Sequence, residues 1–449
     1  MGRDAEMAPE MATNLAETQR SAQKASKPAP HSVSPEAKSA RIVILNQYYV
    51  PDVASTGHLL HELAEEFARL KKPVKVTTCF PSYGPPESWL PCPGHEFTNG
   101  VEVRRMRTTR YSKDRLAGRL LNSITFLVPL AVRQLFAKRK GNVYLYTSNP
   151  PYLGVIGGFV SLFRRHPYVV LLHDSYPHLA EWVGKIGNGG MASKIWHRLN
   201  RVMYRRALHT IVLCQKAKEL VCRDYGIAPE RVHVIPNWAD PETLRPIAKE
   251  ETKFAQANGL VEPFTILYSG NLGLYYEFES LLDAAERLQN ENFRLVFIGS
   301  GGKKQFIADQ IAKRNLKNVL MFPYQPFETL NDSLNACDAS LVTIAKGIEG
   351  ISFPSKLYSS LAVGKPIIAI SEEGSELQDV VDRQRTGVWT KLGDIDGLVA
   401  AIRRLMADRA LSHELGRNAR SVMESRYTMQ TSARAYADVL ELAAEEGSR

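Results

Sequence analysis

The chain has 449 residues, 44% hydrophobic, 23% charged and 9% aromatic, with a net charge of +10; this ordinary globular composition excludes collagen-like, mucin-like and wholly disordered proteins. At about 100–200 residues per domain, the length implies two or three domains, each with its own core. Five cysteines (Cys79, Cys92, Cys214, Cys222, Cys337) form no Cys-x-x-Cys pair and stand near no histidine cluster, so neither a disulfide framework nor a structural zinc site is expected, and a reducing compartment, the cytoplasm, is.

Residues 1–40 carry no apolar run and are rich in Ala, Ser, Pro, Glu and Lys. They are no secretory signal and read as a disordered extension. Arg41-Ile42-Val43-Ile44-Leu45 is short and β-branched, the pattern of a buried parallel strand. A long turn then ends in Thr56-Gly57 and hands over to a helix with apolar positions Leu59, Leu60, Leu63, Ala64 and Phe67. Val74-Lys75-Val76-Thr77-Thr78 is the next strand.

Residues 104–140 hold eleven Lys and Arg against one acid, Asp114, which is the whole net surplus. Interleaved with them is the apolar run Leu120-Leu121, Ile124, Phe126-Leu127-Val128 and Leu130. Such a segment suits an anionic membrane surface, peripheral at the inner face of the membrane. It suits equally a buried domain helix flanked by solvated charges, and the residues leave the two open. The longest apolar stretches, 120–132 and 151–163, fall short of the about 20 residues a spanning helix needs. No RNP, helix-turn-helix or zinc-finger signature is present, so nucleic acid is not an expected partner.

Further strands are read at 143–146, 168–172 and 210–213, with helices between them. The same grammar restarts after Pro246, with strands at 265–268, 295–298, 319–322, 339–344 and 366–370, a helix at 279–288, and a strongly helical tail over 394–444. Alternation of this kind predicts an α/β fold of two Rossmann-like, doubly wound domains facing a cleft. The expected boundaries are a first domain at 41–245, a second domain at 246–424, and a C-terminal helix over 425–449 returning to the first.

Three glycine-containing turns could bring backbone N–H groups to phosphate: Thr56-Gly57, Gly270-Asn271-Leu272-Gly273 and Gly299-Ser300-Gly301-Gly302. None is a dinucleotide fingerprint or a P-loop, so NAD chemistry is disfavoured. The densest signal runs from Phe353 to Ala369. Pro354 and Ser355 make a helix start, with Ser355 as N-cap, and Gly364 ends the short helix. The N–H groups at 355–357 and the Lys356 ammonium form a candidate anion site.

Four pieces in order, Val234-Ile235-Pro236-Asn237-Trp238-Ala239-Asp240, Leu267-Tyr268-Ser269-Gly270-Asn271-Leu272-Gly273, Pro354-Ser355-Lys356 and Gly364-Lys365-Pro366, resemble the family 4 glycosyltransferases with the GT-B architecture. The resemblance covers about 400 residues and points to the branch that builds exopolysaccharides and O-antigens. It implies retaining transfer of a sugar from a nucleotide-sugar to a hydroxyl of a saccharide or lipid-linked acceptor, with no cofactor and no essential metal. It implies catalytic roles for His173, Asp174 and Lys356. Donor contacts would come from Gly57, Gly270, Asn271, Gly273, Tyr324, Glu349, Ser355 and Ser359. Tyr324 either stacks on the nucleobase or packs within its loop.

The departures from the family pattern concern charge. Its two glutamates before the Gly-Lys-Pro segment correspond to Ile351 and Ser359, with Glu349 as a neighbouring substitute. Its Arg and Lys on the donor-domain loop correspond to Asn271 and Tyr276, which leaves Lys356, Lys303 and Lys304 as cationic candidates. These losses keep open the alternative of a catalytically degenerate subunit that binds nucleotide-sugar or a partner enzyme.

Overall fold

The structure, a computed structural model, describes residues 40–448 except 53, 84–88, 112–115 and 138–140. The extension expected over 1–40 lies, but for Ala40, outside the described residues, as do Lys113, Arg115, Lys138, Arg139 and Lys140 of the basic segment. The first half runs β1 (Arg41–Leu45), α1 (Ser55–Arg69), β2 (Val74–Cys79), β3 (His95–Thr98), β4 (Val101–Met106), α2 (Leu116–Leu135) and β5 (Asn142–Thr147). It continues with α3 (Leu153–Arg164), β6 (Tyr168–Leu172), α4 (His178–Trp182), α5 (Met191–Arg206), β7 (His209–Val212), α6 (Gln215–Tyr225) and β8 (Val232–Val234).

These strands form one sheet in the order β3-β4-β2-β1-β5-β6-β7-β8, parallel except where β3 pairs antiparallel with β4. All five residues of β6 are buried, as a continuous apolar strand covered on both faces requires. On one face α1 contributes Leu60, Leu63 and Phe67 to the core. The other is covered by α2, α3, α5 and α6, through side chains such as Phe126, Leu153, Met203 and Leu220. The β3–β4 hairpin was not foreseen. It turns through Asn99-Gly100, with φ of 51° and 81°, a two-residue turn whose twist matches that of the strands.

The second half contains α7 (Lys253–Ala257), β9 (Phe264–Ser269), α8 (Glu279–Arg287), β10 (Phe293–Ile298), α9 (Lys304–Arg314), β11 (Val319–Phe322) and α10 (Leu330–Asn335). Then come β12 (Ala339–Thr343), α11 (Lys356–Ala362), β13 (Ile367–Ser371), α12 (Glu376–Arg383) and β14 (Gly387–Lys391). Three helices close the chain: α13 (Ile395–Ala407), α14 (Arg409–Arg426) and α15 (Met429–Ser448). The second sheet is parallel throughout, in the order β11-β10-β9-β12-β13-β14. α15 lies on the first sheet beside α1, where Ala433, Tyr436, Ala437 and Leu440 join its core. Each sheet reverses its winding at one point, between β1 and β5 and between β9 and β12. Such reversals open a crevice at the carboxyl ends of the strands.

Candidate active site

The ends of β1, β5 and β6 build the first wall of the cleft. Asn46, fully buried just past β1, accepts a 2.6 Å hydrogen bond from Thr147 Oγ1 at the end of β5. Gly57, expected in the turn before the helix, lies inside the first turn of α1. A Cβ there would stand 3.2 Å from the Tyr49 backbone, so the missing side chain lets the helix start sit against its own preceding loop. His173 and Asp174 follow β6, and their N–H groups donate to Ser148 Oγ at 3.0 and 3.3 Å. The His173 ring is half-buried, with Nδ1 sealed from solvent and unpartnered. Burial pushes its pKa down to about 4, so the imidazole is neutral at pH 7. Asp174 accepts a 2.6 Å hydrogen bond from Ser352 Oγ, and burial raises its pKa against the effect of that bond.

The second wall comes from the ends of β9 and β10 and the start of α11. Gly270 and Gly299 have φ of 137° and 140°. A Cβ on Gly299 would come 2.0 Å from the Gly270 carbonyl oxygen, and one on Gly301 would come 2.5 Å from that of Leu272. The two turns therefore pack backbone to backbone, which glycine alone permits. Gly273 is buried and Asn271 exposed, and the Asn271 carbonyl accepts a 2.7 Å hydrogen bond from the Tyr268 hydroxyl.

Lys356 opens α11 and is only 9% exposed. Its side chain runs over the Gly270 turn, with Cε 3.2 Å from where a Cβ of Gly270 would stand. The ammonium sits 3.7 Å from the Tyr276 ring centroid and 4.6 Å from that of Tyr268. Burial lowers its pKa from 10.5 to about 7, with no carboxylate acting against it. Lys303 is engaged elsewhere, donating to the Tyr276 carbonyl and to Glu279 at 2.8 Å.

Other expected residues take other partners. Ser355 occupies the N-cap position of α11, but its backbone is helical (φ −61°, ψ −24°) and its side chain makes no capping bond. Side-chain capping needs an extended residue there, and Ser355 is exposed instead. Ser359 Oγ donates back to the Lys356 carbonyl at 3.0 Å. The Glu349 carboxylate accepts from the Glu376 N–H, at the start of α12, at 2.5 Å. Tyr324 is 56% exposed and its hydroxyl donates to the Ser300 carbonyl at 3.2 Å, so the ring stands over the β10 turn.

The walls meet directly. Ser175 N–H donates to the Ile351 carbonyl at 2.7 Å, and Asp174 pairs with Ser352 as an isolated antiparallel bridge. Trp182 Nε1 donates to the Lys346 carbonyl at 2.9 Å, and His58 of α1 stacks on Phe327 with centroids 6.2 Å apart. Sequence reasoning missed Ser148, Ser352 and the tyrosine cradle of Lys356. Among the described residues, no three His, Cys, Asp or Glu side chains are grouped to hold a metal ion.

Two Rossmann-like domains closing on a glycine-lined cleft define the GT-B architecture. Residues 56–238 match the family described as "Glycosyl transferase 4-like domain" and residues 249–422 that described as "Glycosyl transferases group 1". The chain is 26% identical over 407 residues to the probable glycosyltransferase WbjE of Pseudomonas aeruginosa, covering 89% of this chain and 97% of that one. It is 31% identical over 185 residues to the putative colanic acid biosynthesis glycosyl transferase WcaI of Escherichia coli K12, covering 40% and 45%. HepE of Anabaena, solved in complex with UDP, superposes with a TM-score of 0.66 at 18% identity, over 90% of this chain and 100% of that one. The chain belongs to the family 4 glycosyltransferases.

Proposed function

We propose that the chain transfers a sugar from a nucleoside diphosphate sugar to a hydroxyl of a saccharide or lipid-linked acceptor in cell-surface polysaccharide or glycolipid assembly. The transfer retains anomeric configuration and uses no metal ion. Lys356 carries this reading: an ammonium buried on two tyrosine faces beside a glycine turn, with no carboxylate against it. A departing diphosphate accumulates negative charge, and a preorganised cation out of water stabilises that charge far more than a solvated lysine does. The turns after β9 and β10 let phosphate oxygens approach backbone N–H groups, and the exposed Tyr324 ring suits stacking on a base. The neutral, half-buried His173 ring at the end of β6 can hydrogen-bond a sugar or acceptor hydroxyl. Asp174, held by Ser352, keeps the 347–352 loop against that histidine. The UDP bound in HepE and the pathway in the name of WcaI support a nucleotide-linked donor and a polysaccharide product.

A thermal-shift panel of nucleoside diphosphates and their sugars, with and without magnesium, tests the reading. A ligand at 100 times its Kd adds about 2.7 kcal/mol. One nucleoside diphosphate is expected to shift the melt independently of metal, and Lys356→Met to abolish transfer. No shift with any of them would overturn the reading in favour of a subunit that binds a partner enzyme.

A further inference from the structure

The large exposed apolar side chains are concentrated on three helices. Along α2, Leu120, Ile124, Val128 and Val132 recur every four residues and are 40–58% exposed. Phe159, Leu162 and Phe163 stand out on one face of α3 at three- and four-residue spacing, as do Met191, Ile195, Leu199 and Val202 on α5, all of them 42–75% exposed. α3 lies between the other two, and it meets α5 closely: a Cβ on Gly158 would stand 3.1 Å from Met203 Cα. The opposite faces of all three (Phe126, Leu130, Leu153, Val160, Met203, Tyr204) share one core on a single side of the first sheet. The outward stripes therefore form one apolar face. A helix layer over a sheet ordinarily turns polar residues to water, and a contiguous apolar exterior marks a docking surface.

Charge identifies what docks. The three helices, of 20, 12 and 16 residues, contain eight Lys or Arg and no Asp or Glu, in a chain with 47 acids among 449 residues. Among the described residues, the cations of this face come chiefly from outside the 104–140 segment. Arg105 is buried and paired with Glu96 at 2.6 Å, whereas α5 exposes Lys194, Arg198, Arg201, Arg205 and Arg206. Lys194, Ile195, His197, Arg198 and Arg201 line a cavity of about 480 Å³ together with one acid, Glu181.

We infer that the α2–α3–α5 face docks on an anionic lipid bilayer, its apolar stripes entering the acyl boundary and the α5 cations meeting headgroup phosphates. A second copy of the same face would set cations against cations with no acids between them, whereas an anionic headgroup layer matches both the charge and the apolar stripes. No described helix is long and apolar enough to cross a membrane, so these helices lie on the bilayer. Helices of a βαβ unit run back against the strands, which puts the N-terminal ends of all three at the cleft end of the sheet. The face thus brings the cleft rim to the lipid surface. This deepens the proposed transfer, and rests on that reading, only in that a lipid-linked acceptor would be presented there.

Flotation of the purified full chain with phosphatidylcholine vesicles, with and without phosphatidylglycerol, tests the surface. The wild type is expected to float with the anionic vesicles, and Ile124→Ser/Phe159→Ser/Phe163→Ser to stay unbound at every salt concentration. Arg198→Ala/Arg201→Ala should weaken partitioning roughly 30-fold at low salt, from about 1 kcal/mol per basic residue. Each variant is checked by its melt and its nucleoside diphosphate shift, which read the donor site separately. A wild type that never floats, or an apolar variant that floats like the wild type, overturns the proposal. Self-association abolished by the apolar variant, in a wild type that does not float, assigns the face to a second copy instead. A missing nucleotide shift with flotation intact removes the donor reading and leaves the surface standing.

Discussion

Replacing Lys356 with methionine should separate stability from function. Lys356 is 9% exposed and its pKa is lowered from 10.5 to about 7. At about 1.36 kcal/mol per unit, keeping this side chain buried costs about 4–5 kcal/mol at pH 7 and below. Attraction to the Tyr268 and Tyr276 faces offsets about 2 kcal/mol of that. Methionine keeps the unbranched stem and removes the charge. Lys356→Met is therefore expected to stabilise the unliganded protein by about 2–3 kcal/mol, or about 5–10 °C in Tm. The pH dependence has a definite sign. The unfolded lysine holds its proton up to about 10.5 and the folded one only to about 7, so the unfolded state binds more protons between those values. The Lys356 contribution to wild-type stability therefore rises with pH across that window. The gap between variant and wild type should be widest below pH 7 and close as pH approaches 10.5. Over the same series the nucleoside diphosphate shift should vanish in the variant. Calorimetric melts at intervals from pH 6 to 10, with and without nucleotide, read both quantities. A variant less stable than the wild type at pH 6, and still shifted by nucleotide, would refute the reasoning.

Gly299→Ala would drive a Cβ to 2.0 Å from the Gly270 carbonyl at a φ of 140°, so a loss of about 3 kcal/mol or more is expected in urea unfolding. Ser352→Ala leaves the buried Asp174 carboxyl without its 2.6 Å donor. It should cost about 1–3 kcal/mol, most where the carboxyl is ionised, because that form loses the most with the donor. In pH–rate profiles, His173 should produce no limb above pH 5, since its pKa is about 4. The free-enzyme parameter kcat/KM should instead fall as pH rises through about 7, where Lys356 loses its proton. In kcat that limb should lie higher, because bound diphosphate favours the ammonium.

Most of the fold was legible because parallel strands buried on both faces are continuous apolar runs rich in β-branched residues, and Arg41–Leu45 and Tyr168–Leu172 fall where their sequences place them. The β3–β4 hairpin escaped notice because His95–Thr98 is a largely exposed edge strand without such a run, although Asn99-Gly100 is itself a hairpin signal. β14 was missed for a related reason: Gly387–Lys391 opens on a glycine whose Cβ would meet Ile367 at 1.9 Å. At the cleft, residue types were legible and partners were not. Asp174 and Ser352 lie 178 positions apart, and nothing local to either announces the bond. Ser355 reads as a cap from its neighbours, yet the chain enters α11 already helical there, which moves the hydroxyl away from the N–H groups it would serve.

The charge departures from the family pattern become coherent once Lys356 is seen over Tyr276. By resemblance, a lysine would stand at 276; here a ring stands there and an ammonium reaches it from α11. The cation is supplied from the other side of the turn. The same pattern would place a glutamate at 359, one helical turn beyond Lys356, where oppositely charged side chains pair readily. Such an acid would neutralise the ammonium and raise its pKa, holding it for a salt bridge rather than for a phosphate. Ser359 instead bonds back to the Lys356 carbonyl, and the other expected acid position holds Ile351, whose carbonyl clasps Ser175 across the cleft. With Glu349 turned to the start of α12, no acid among the described residues pairs with Lys356, whose pKa is moved by burial alone. Restoring Ser359→Glu should therefore weaken nucleotide binding even as it stabilises the empty protein, and moving a lysine back to 276 would add a second buried cation with no counter-charge. The loss of the acid and the position of the base act together: with a serine at 359 bonded back to the helix, the ammonium of Lys356 has no carboxylate beside it and stays free for phosphate.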